Sequence, residues 1–242
     1  MNKYDALKEE AYAANMQLPA LGLVLFTFGN ASAADRREGI FAIKPSGVAY
    51  EKLSPDQMVI VDFDARVVEG TLRPSSDTKT HAVLYKEWGE IGGIAHTHST
   101  YATAWAQALK DIPILGTTHA DHLTADIPCA PPMKDEYIQG DYEYMTGYQI
   151  VEELQQRKCS YKEIEMILVG SHAPFTWGST VQKAVYNSAV LETIARMAWL
   201  TLQIRPGAPS MKDALIQKHY ERKHGQGKYY GNEEFLSGDS NL

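Results

Sequence analysis

The sequence predicts an α/β fold, a single domain with a central, mainly antiparallel sheet flanked by helices. Short apolar runs bounded by turn residues cluster in the middle of the chain, and segments with helical periodicity lie around them. The 242 residues, 44% of them apolar, suit one domain with a substantial core. No repeat or low-complexity linker divides the chain. Residues 1–231 are therefore predicted to form that domain, and residues 232–242 a polar, flexible tail.

The first half of the chain is predicted to be one helix followed by four strands. Leu7, Ala11, Ala14 and Leu18 recur near the helical period and predict a helix over 5–18, which Pro19 ends. Turn signals around 45–47 and 54–56 separate the β-type runs that follow. The predicted strands are 23–28, 39–43, 58–63 and 66–69.

The second half alternates helices with two further strands. Ser99 is a suitable N-cap for a helix that reaches about Ala108. Prolines make the stretch around 128–132 irregular. The predicted strands are 91–98 and 164–169, and the predicted helices are 78–88, 99–108, 146–158, 180–203 and 210–223.

The charge and the cysteines limit the class of partner and the compartment. A net charge of −7 without a basic run makes nucleic acid and anionic membranes poor partners. Cys129 and Cys159 form no CxxC pair, so we expect a reducing, cytoplasmic setting. The polar N-terminus does not resemble a signal peptide, and no apolar run is long enough to span a bilayer.

The pattern His96-Thr97-His98 ends an apolar run that is predicted to be a strand. Side chains two residues apart leave a strand on the same face, so the two imidazoles can begin a transition-metal site. Asp77 and His172 are candidates for further ligands, since each lies beside a predicted element. The alternatives are two hydrogen-bonded histidines at a strand end, an Asp77 helix cap and a loop histidine.

Three small polar loops contain the pairs Gly29-Asn30, Ser46-Gly47 and Ser75-Ser76. Hydroxyls and exposed backbone N–H groups of this kind can surround a phosphate, and Lys44 could add one charge. Ordinary turn chemistry explains the same residues, and on the sequence alone it is the favoured interpretation.

Acid–base candidates lie in the second half of the chain. Asp121 follows the polar segment 116–120 and is either a carboxylate acid or base near the metal, or a turn residue. His219 and the pair Tyr229-Tyr230 lie near the C-terminus, where packing is the commoner role of tyrosines.

Seven segments together resemble the class II aldolase/epimerase (adducin) superfamily, and within it the L-ribulose-5-phosphate 4-epimerases. The resemblance covers about residues 3–231. Its segments are FGNAS (28–32), IKPSGV (43–48), PSSDT (74–78), GIAHTHS (93–99), GTTHAD (116–121), HAPF (172–175) and KHYERKHG (218–225).

The resemblance implies one divalent ion per subunit, Zn²⁺ with Mn²⁺ or Co²⁺ as substitutes, held by Asp77, His96, His98 and His172. It implies a phosphate pocket built by Gly29, Asn30, Ser46, Gly47, Ser75 and Ser76. It gives Asp121 and Tyr230 as the acid/base pair, with Tyr229 as the alternative if the alignment slips by one residue. Lys44 and His219 would bind substrate in support.

The same resemblance implies a homotetramer with active sites at subunit interfaces, where Tyr230 comes from the neighbour and Asp121 acts beside its own chain's metal. The implied reaction interconverts L-ribulose 5-phosphate and D-xylulose 5-phosphate by cleavage of C3–C4, rotation of glycolaldehyde phosphate and re-addition. The alternative is a class II aldolase acting on a phosphorylated ketose such as fuculose 1-phosphate. Aldolases of the superfamily carry glutamate where this chain has Asp77, which favours the epimerase. A non-catalytic interaction module is the third class, and the full set of candidate ligands counts against it.

Overall fold

A computed structural model describes residues 3–225. The strands are β1 (Asn30–Asp35), β2 (Ile40–Ile43), β3 (Val59–Asp62), β4 (Val67–Glu69), β5 (Gly93–His96), β6 (Cys129–Ala130), β7 (Met166–Val169) and β8 (Pro174–Gly178). The helices are α1 (Asp5–Ala20), α2 (Thr78–Glu87), α3 (Thr100–Gln107), α4 (Thr117–Ala120), α5 (Asp135–Gln139), α6 (Tyr142–Gln156), α7 (Val181–Ile204) and α8 (Asp213–His224).

The eight strands form one sheet in the order β4-β3-β2-β1-β5-β8-β7-β6. Every pair is antiparallel except β6 with β7, so the predicted single-domain α/β fold with a mainly antiparallel sheet is confirmed. The tail 232–242 and the boundary at Gly231 lie outside the described residues and stay predictions. None of the described helices is both long enough and apolar enough to cross a bilayer.

Helices cover both faces of the sheet, which explains why β2, β5, β7 and β8 are buried along their whole length rather than on one face only. Ile167 and Val169 of β7 pack with α2 and α6 on one face. Met166 and Leu168, the alternate residues of the same strand, pack with α3 and α7 on the other. The sheet is therefore the middle of three layers.

One predicted strand is wrong. Residues 23–28 form turns, and the strand begins at Asn30 instead. Leu25 and Phe26 are 68% and 75% exposed, and Phe26 has a φ of 55°, which an extended strand does not allow. Leu23 and Val24 pack into the core from this loop, while the alanine-rich segment after it, with weak intrinsic β preference, is the buried strand.

Prolines and small residues account for the other differences at the element ends. α1 continues to Ala20, one residue beyond Pro19, so the proline lies inside the last turn and the helix ends directly after it. β8 begins at Pro174 and was not predicted, since a proline argues against a strand. α6 begins at Tyr142, four residues before the predicted start of 146.

Gly29 allows the chain to enter β1 directly beneath the end of β5. Its φ is +69°, and a Cβ built on it would lie 2.7 Å from the carbonyl oxygen of His96 and 2.7 Å from Cγ1 of Val24. Gly47 has nearly the same φ, +71°, but a Cβ there would meet nothing within 4 Å. Both positions favour glycine for backbone reasons, and only Gly29 also lacks space for a side chain.

We expect Gly29→Ala to destabilise the protein more than Gly47→Ala, the matched control. Both substitutions carry the left-handed penalty of about 1–2 kcal/mol. Gly29→Ala adds overpacking of about 1–3 kcal/mol, because the contact is partly with backbone. Urea unfolding of the two variants measures the difference in the free energy of unfolding. Equal losses would show that the close approach to His96 carries no cost.

Candidate metal centre

Three histidines from two loops and one strand meet at one end of the sheet. His96 is the last residue of β5 and pairs with Asn30 of β1 and Phe175 of β8. His98 follows two residues later, and His172 lies in the turn between β7 and β8. The ligand nitrogens of the three rings lie within 4.8 Å of one another. The structure thus brings together the three histidines that the sequence singled out separately.

The ring orientation of His96 is set by the backbone. Its Nδ1 lies 2.9 Å from the carbonyl oxygen of Pro174, which can only accept, so Nδ1 carries the proton. Nε2 therefore presents its lone pair to the cluster, and it lies 3.2 Å from Nε2 of His98. Two nitrogens that ligate a tetrahedral zinc ion at 2.0–2.1 Å are about 3.3 Å apart. The spacing and the tautomer both fit a metal ion, and this anchoring is usual for metal-binding histidines.

Burial favours the neutral form of two of the three imidazoles, those of His98 and His172. Burial, together with the neighbouring His96, lowers the pKa of His98 to about 4 and that of His172 to about 3. Nδ1 of His172 is buried and has no hydrogen-bond partner within residues 3–225. Ring nitrogens gathered within 4.8 Å of one another, from one buried, one exposed and one half-buried histidine, form a donor set that a divalent cation satisfies.

Asp77 lines the same cavity as the three histidines. It occupies the N-cap position of α2, but its side chain makes no capping hydrogen bond, so the cap interpretation does not account for it. Its Oδ2 instead accepts a hydrogen bond from Nδ2 of Asn30 at 2.7 Å. Burial opposes its ionisation, but the surrounding imidazoles and the Asn30 hydrogen bond outweigh burial and lower the pKa of Asp77.

The three polar loops open into this cavity, whose volume is about 450 Å³. Backbone hydrogen bonds join two of them, from Ser46 N to Arg73 O at 2.9 Å and from Ser75 N to Lys44 O at 3.0 Å. Every residue proposed for a phosphate pocket therefore borders the candidate metal ligands. The predicted residues that line the cavity are Gly29, Asn30, Lys44, Ser46, Gly47, Ser75, Ser76, Asp77, His96, His98 and His172.

Lys44 is the only lysine or arginine among the described residues that line the cavity. It is 2% exposed, its Nζ lies 3.4 Å from the carbonyl oxygen of Thr27, and it stands 4.9 Å from the centre of the Tyr50 ring. Burial lowers its pKa. Lys44 forms no ion pair within residues 3–225, although Asp77 and Glu143 line the same cavity, so an anion bound there would give it a direct counter-charge.

The side chain of Asn30 forms hydrogen bonds with protein groups, whereas the phosphate prediction expects it to bind an anion. The Nδ2 group contacts both Asp77 and Ser75, at 2.7 and 3.1 Å, which uses the donors of the amide. Its Oδ1 is buried and has no hydrogen-bond partner in the described part of the chain. The side chain of Asn30 thus orients the carboxylate of Asp77 rather than offering a donor to an anion.

Two cavity residues were missed by the sequence analysis. Tyr142 and Glu143 line the cavity from the first turn of α6, and the Tyr142 ring centre lies 6.3 Å from that of His172. The signal was hidden because the predicted helix began at 146. An earlier helix start at Asp141, a favoured capping residue, would have placed both side chains at a helix terminus.

Asp121 and His219 lie together, but away from this cavity. Oδ1 of Asp121 lies 2.9 Å from Nδ1 of His219, and Arg222 contacts both carboxylate oxygens at 3.1 and 3.0 Å. Burial raises the pKa of the Asp121 carboxyl, and the hydrogen bonds from Arg222 and His219 lower it. The net effect is a lowered pKa. Neither Asp121 nor His219 is among the described residues that line the metal cavity.

The position of His122 shows that Asp121 is at the opposite end of the sheet. His122 lies 5.7 Å from Tyr186 of α7 between ring centres, and it shares a cleft with Asn187. Asn187 donates to the carbonyl oxygen of Trp177, near the end of β8. His96 pairs near the start of that strand, which is five residues long. A strand of that length separates its ends by roughly 13 Å, so the expectation that Asp121 lies beside its own chain's histidines is not met. Tyr229 and Tyr230 lie outside the described residues.

Comparison with known proteins places the chain in a family. A family model described as the class II aldolase and adducin N-terminal domain matches residues 9–199. Curated proteins from Salmonella paratyphi A (strain ATCC 9150 / SARB42) and Salmonella typhi, each named L-ribulose-5-phosphate 4-epimerase UlaF, are 52% identical over 225 residues, 93% of this chain and 98% of theirs. A solved L-fuculose 1-phosphate aldolase, 22% identical, superposes with a TM-score of 0.74 over 90% of this chain and 95% of its own, and shows the shared fold. The chain therefore belongs to the class II aldolase and adducin N-terminal domain family.

Proposed function

We propose that the protein is a metal-dependent isomerase that interconverts L-ribulose 5-phosphate and D-xylulose 5-phosphate. The observation that carries this proposal is the convergence of three histidines, one carboxylate and three small polar loops in a single cavity. The relatives that match nearly the whole chain carry the name of this epimerase. The cavity of about 450 Å³ is in the size range of small-molecule sites.

The position of the inverted carbon explains why such a site is needed. The ketone is at C2, so removal of the hydrogen at C4 would not give a stabilised carbanion. Deprotonation of the C4 hydroxyl instead lets the C3–C4 bond break, giving glycolaldehyde phosphate and the enediolate of dihydroxyacetone. Rotation of the aldehyde and re-formation of the bond on its other face, with return of the proton to the C4 oxygen, completes the inversion.

His96, His98, His172 and Asp77 would hold the divalent ion, which we propose to be Zn²⁺, with Mn²⁺ or Co²⁺ as substitutes. The bound ion would supply Lewis acidity that stabilises negative charge on substrate oxygens. The proton on Nδ1 of His96 is held by Pro174, so the ring presents Nε2 without rearrangement. Asn30 keeps the Asp77 carboxylate facing the cavity.

The polar loops would hold the phosphate while the aldehyde turns. The hydroxyls of Ser46, Ser75 and Ser76 and the backbone at Gly47 surround the part of the cavity next to Lys44. Tethering the fragment preserves its proximity to the enediolate and favours recapture over release. This retention separates an epimerase from an aldolase, since both would use the same metal.

We expect the purified protein to convert L-ribulose 5-phosphate into D-xylulose 5-phosphate with little free glycolaldehyde phosphate. Chelation should abolish turnover and a divalent ion should restore it. Metal analysis of His98→Ala should show sharply reduced occupancy, because one of three clustered ring nitrogens is lost. The two products are followed by separate coupled assays.

Accumulation of the free aldehyde at the rate of substrate loss would favour the aldolase alternative. Full turnover in a sample verified to be metal-free would contradict the role of the cluster.

We further propose that the protein is a homotetramer in which Asp121 acts in the active site of a neighbouring subunit. Support comes from its position at the end of the sheet opposite its own chain's histidines. His219 and Arg222 hold the carboxylate in place, so the three residues would reach the neighbour as a unit. Tyr230, a few residues after α8, is the proposed second acid/base and would accompany Asp121 from the same chain. The two groups would exchange roles as acid and base on opposite faces of C4.

Asp121→Asn should keep its metal and lose most of its epimerase activity, since general acid–base groups contribute about 10²–10⁴-fold in rate.

Co-expression of Asp121→Asn with His98→Ala, each nearly inactive alone, tests whether the active site is shared between subunits. With random mixing in a closed ring, about one site in four combines an intact His98 with a neighbour's intact Asp121. Activity measured on purified mixed tetramers, with mixing verified by mass analysis, should therefore be near one quarter of the wild-type value.

The matched control is the mixture of Asp121→Asn with Tyr230→Phe. If both residues come from the same chain, no site in that mixture is whole and its activity stays at the mutant background. Activity in the control mixture but not in the first would instead place Asp121 beside its own chain's histidines.

A further inference from the structure

One face of α2 is matched, residue by residue, to one face of β1. Asp77 and His81 are one helical turn apart, and Tyr85 lies one turn further on. Asn30 and Ser32 lie two residues apart on β1 and so share a face. Asn30 donates to Asp77 at 2.7 Å, and Oγ of Ser32 lies 2.7 Å from Nδ1 of His81. Each α2 side chain of this column therefore has a β1 residue opposite it.

His81 lies at the centre of the column and is not used by the proposed mechanism. Its side chain is 0% exposed, and its Nε2 has no hydrogen-bond partner in the structure of residues 3–225. The ring borders Phe175 with centres 6.3 Å apart, and Phe175 stacks on His96 at 4.1 Å. A buried ring nitrogen without a partner is costly, so this nitrogen at the back of the metal cavity requires an explanation.

The hydrogen bonds of the column allow His81 to carry its proton on Nε2. The Tyr85 hydroxyl lies 2.9 Å from the Ser32 carbonyl oxygen and 2.8 Å from Ser32 Oγ, so its one hydrogen is directed at Ser32. The Ser32 hydroxyl is then free to donate to Nδ1 of His81. In that arrangement Nδ1 accepts and the proton of His81 is on Nε2, which has no partner among the described residues. His81 lies one turn along α2 from Asp77, whose Oδ2 accepts from Asn30.

We propose that His81 is a positioning residue of the metal centre, whose Nε2–H donates to the Asp77 carboxylate when that carboxylate serves as a ligand. In this arrangement the Ser32 hydroxyl donates to Nδ1 and orients the ring of His81, and Asn30 donates to Oδ2 of the Asp77 carboxylate. Carboxylate ligands are themselves commonly hydrogen bonded, and loss of such a partner typically lowers metal affinity about 10–100-fold. This inference rests on the proposed role of Asp77 as a ligand.

The experiment measures the affinity of the full-length protein for Co²⁺ and Zn²⁺ by competition with a chromogenic chelator, together with the absorption spectrum of the Co²⁺ form. His81→Leu should weaken binding about 10–100-fold and alter the Co²⁺ spectrum. His81→Gln places an amide N–H where Nε2 stands, so it should restore most of the affinity.

His119→Leu is the matched control. This histidine is 3% exposed and lies on α4, outside the described lining of the metal cavity. The His119→Leu protein should be less stable than the wild type, because a buried side chain is replaced. Its Co²⁺ affinity and spectrum should equal those of the wild type. Equal affinity of His81→Leu and the wild type would overturn the proposal. Failure of the wild type itself to bind either ion would instead refute the proposed metal-dependent function.

A second measurement does not depend on whether His81→Leu folds. The ¹⁵N chemical shifts of the wild-type imidazoles, with His81 assigned from the spectrum of His81→Gln, report the tautomer directly. A proton on Nε2 is expected, and a proton on Nδ1 would overturn the proposal.

Ser32→Ala, which removes the partner of Nδ1 and keeps the ring, should also weaken Co²⁺ binding. Unchanged binding would count against a role of Ser32 in orienting His81.

Discussion

The pairing of β5 with β1 on one side and β8 on the other is the constraint on which the rest of the site depends. His96 lies opposite Asn30 and Phe175 in these two ladders. That register brings the turn carrying His172 and the loop carrying Gly29 to the same end of the sheet. A slip of one residue would turn His96 to the other face of the sheet, away from α2 and α6. The close approach of Gly29 to the carbonyl of His96 is a further consequence of this register.

Burial and hydrogen bonding give the site its electrostatic character. The sheet is covered on both faces, so His98 and His172 at its end are partly desolvated, which lowers the pKa of both rings. Asp77 remains ionised in the same place because Asn30 and the surrounding imidazoles outweigh the effect of burial on its pKa. One carboxylate, three imidazoles and a nearby buried lysine form a site that suits a cation and an anion side by side. A divalent ion and a phosphorylated sugar have these two charges.

The chain carries two functional faces at opposite ends of one sheet. At one end, all four candidate metal ligands and the polar loops line a single cavity. The other face carries Asp121, held by His219 and Arg222 on α8. Because β8 separates the two ends, we infer that a complete site joins one end of one subunit to the opposite end of another. Such an arrangement would make oligomerisation a requirement for catalysis rather than an addition to stability.

The sequence by itself determined the α/β class, most of the strands and helices, and the identity of the residues around the metal cavity. Local patterns carry this information, because His-x-His after an apolar run and small polar pairs between strands depend only on neighbours in the chain. The turn at 23–28 and the strand at β1 could not be predicted, since exposure there depends on what covers the alanines of β1. Only the tertiary structure decided that Asn30 donates to Asp77, that Tyr142 lines the cavity, and that Asp121 lies at the far end of the sheet. These facts depend on the pairing of strands and helices that are distant in sequence, and no local pattern specifies that pairing.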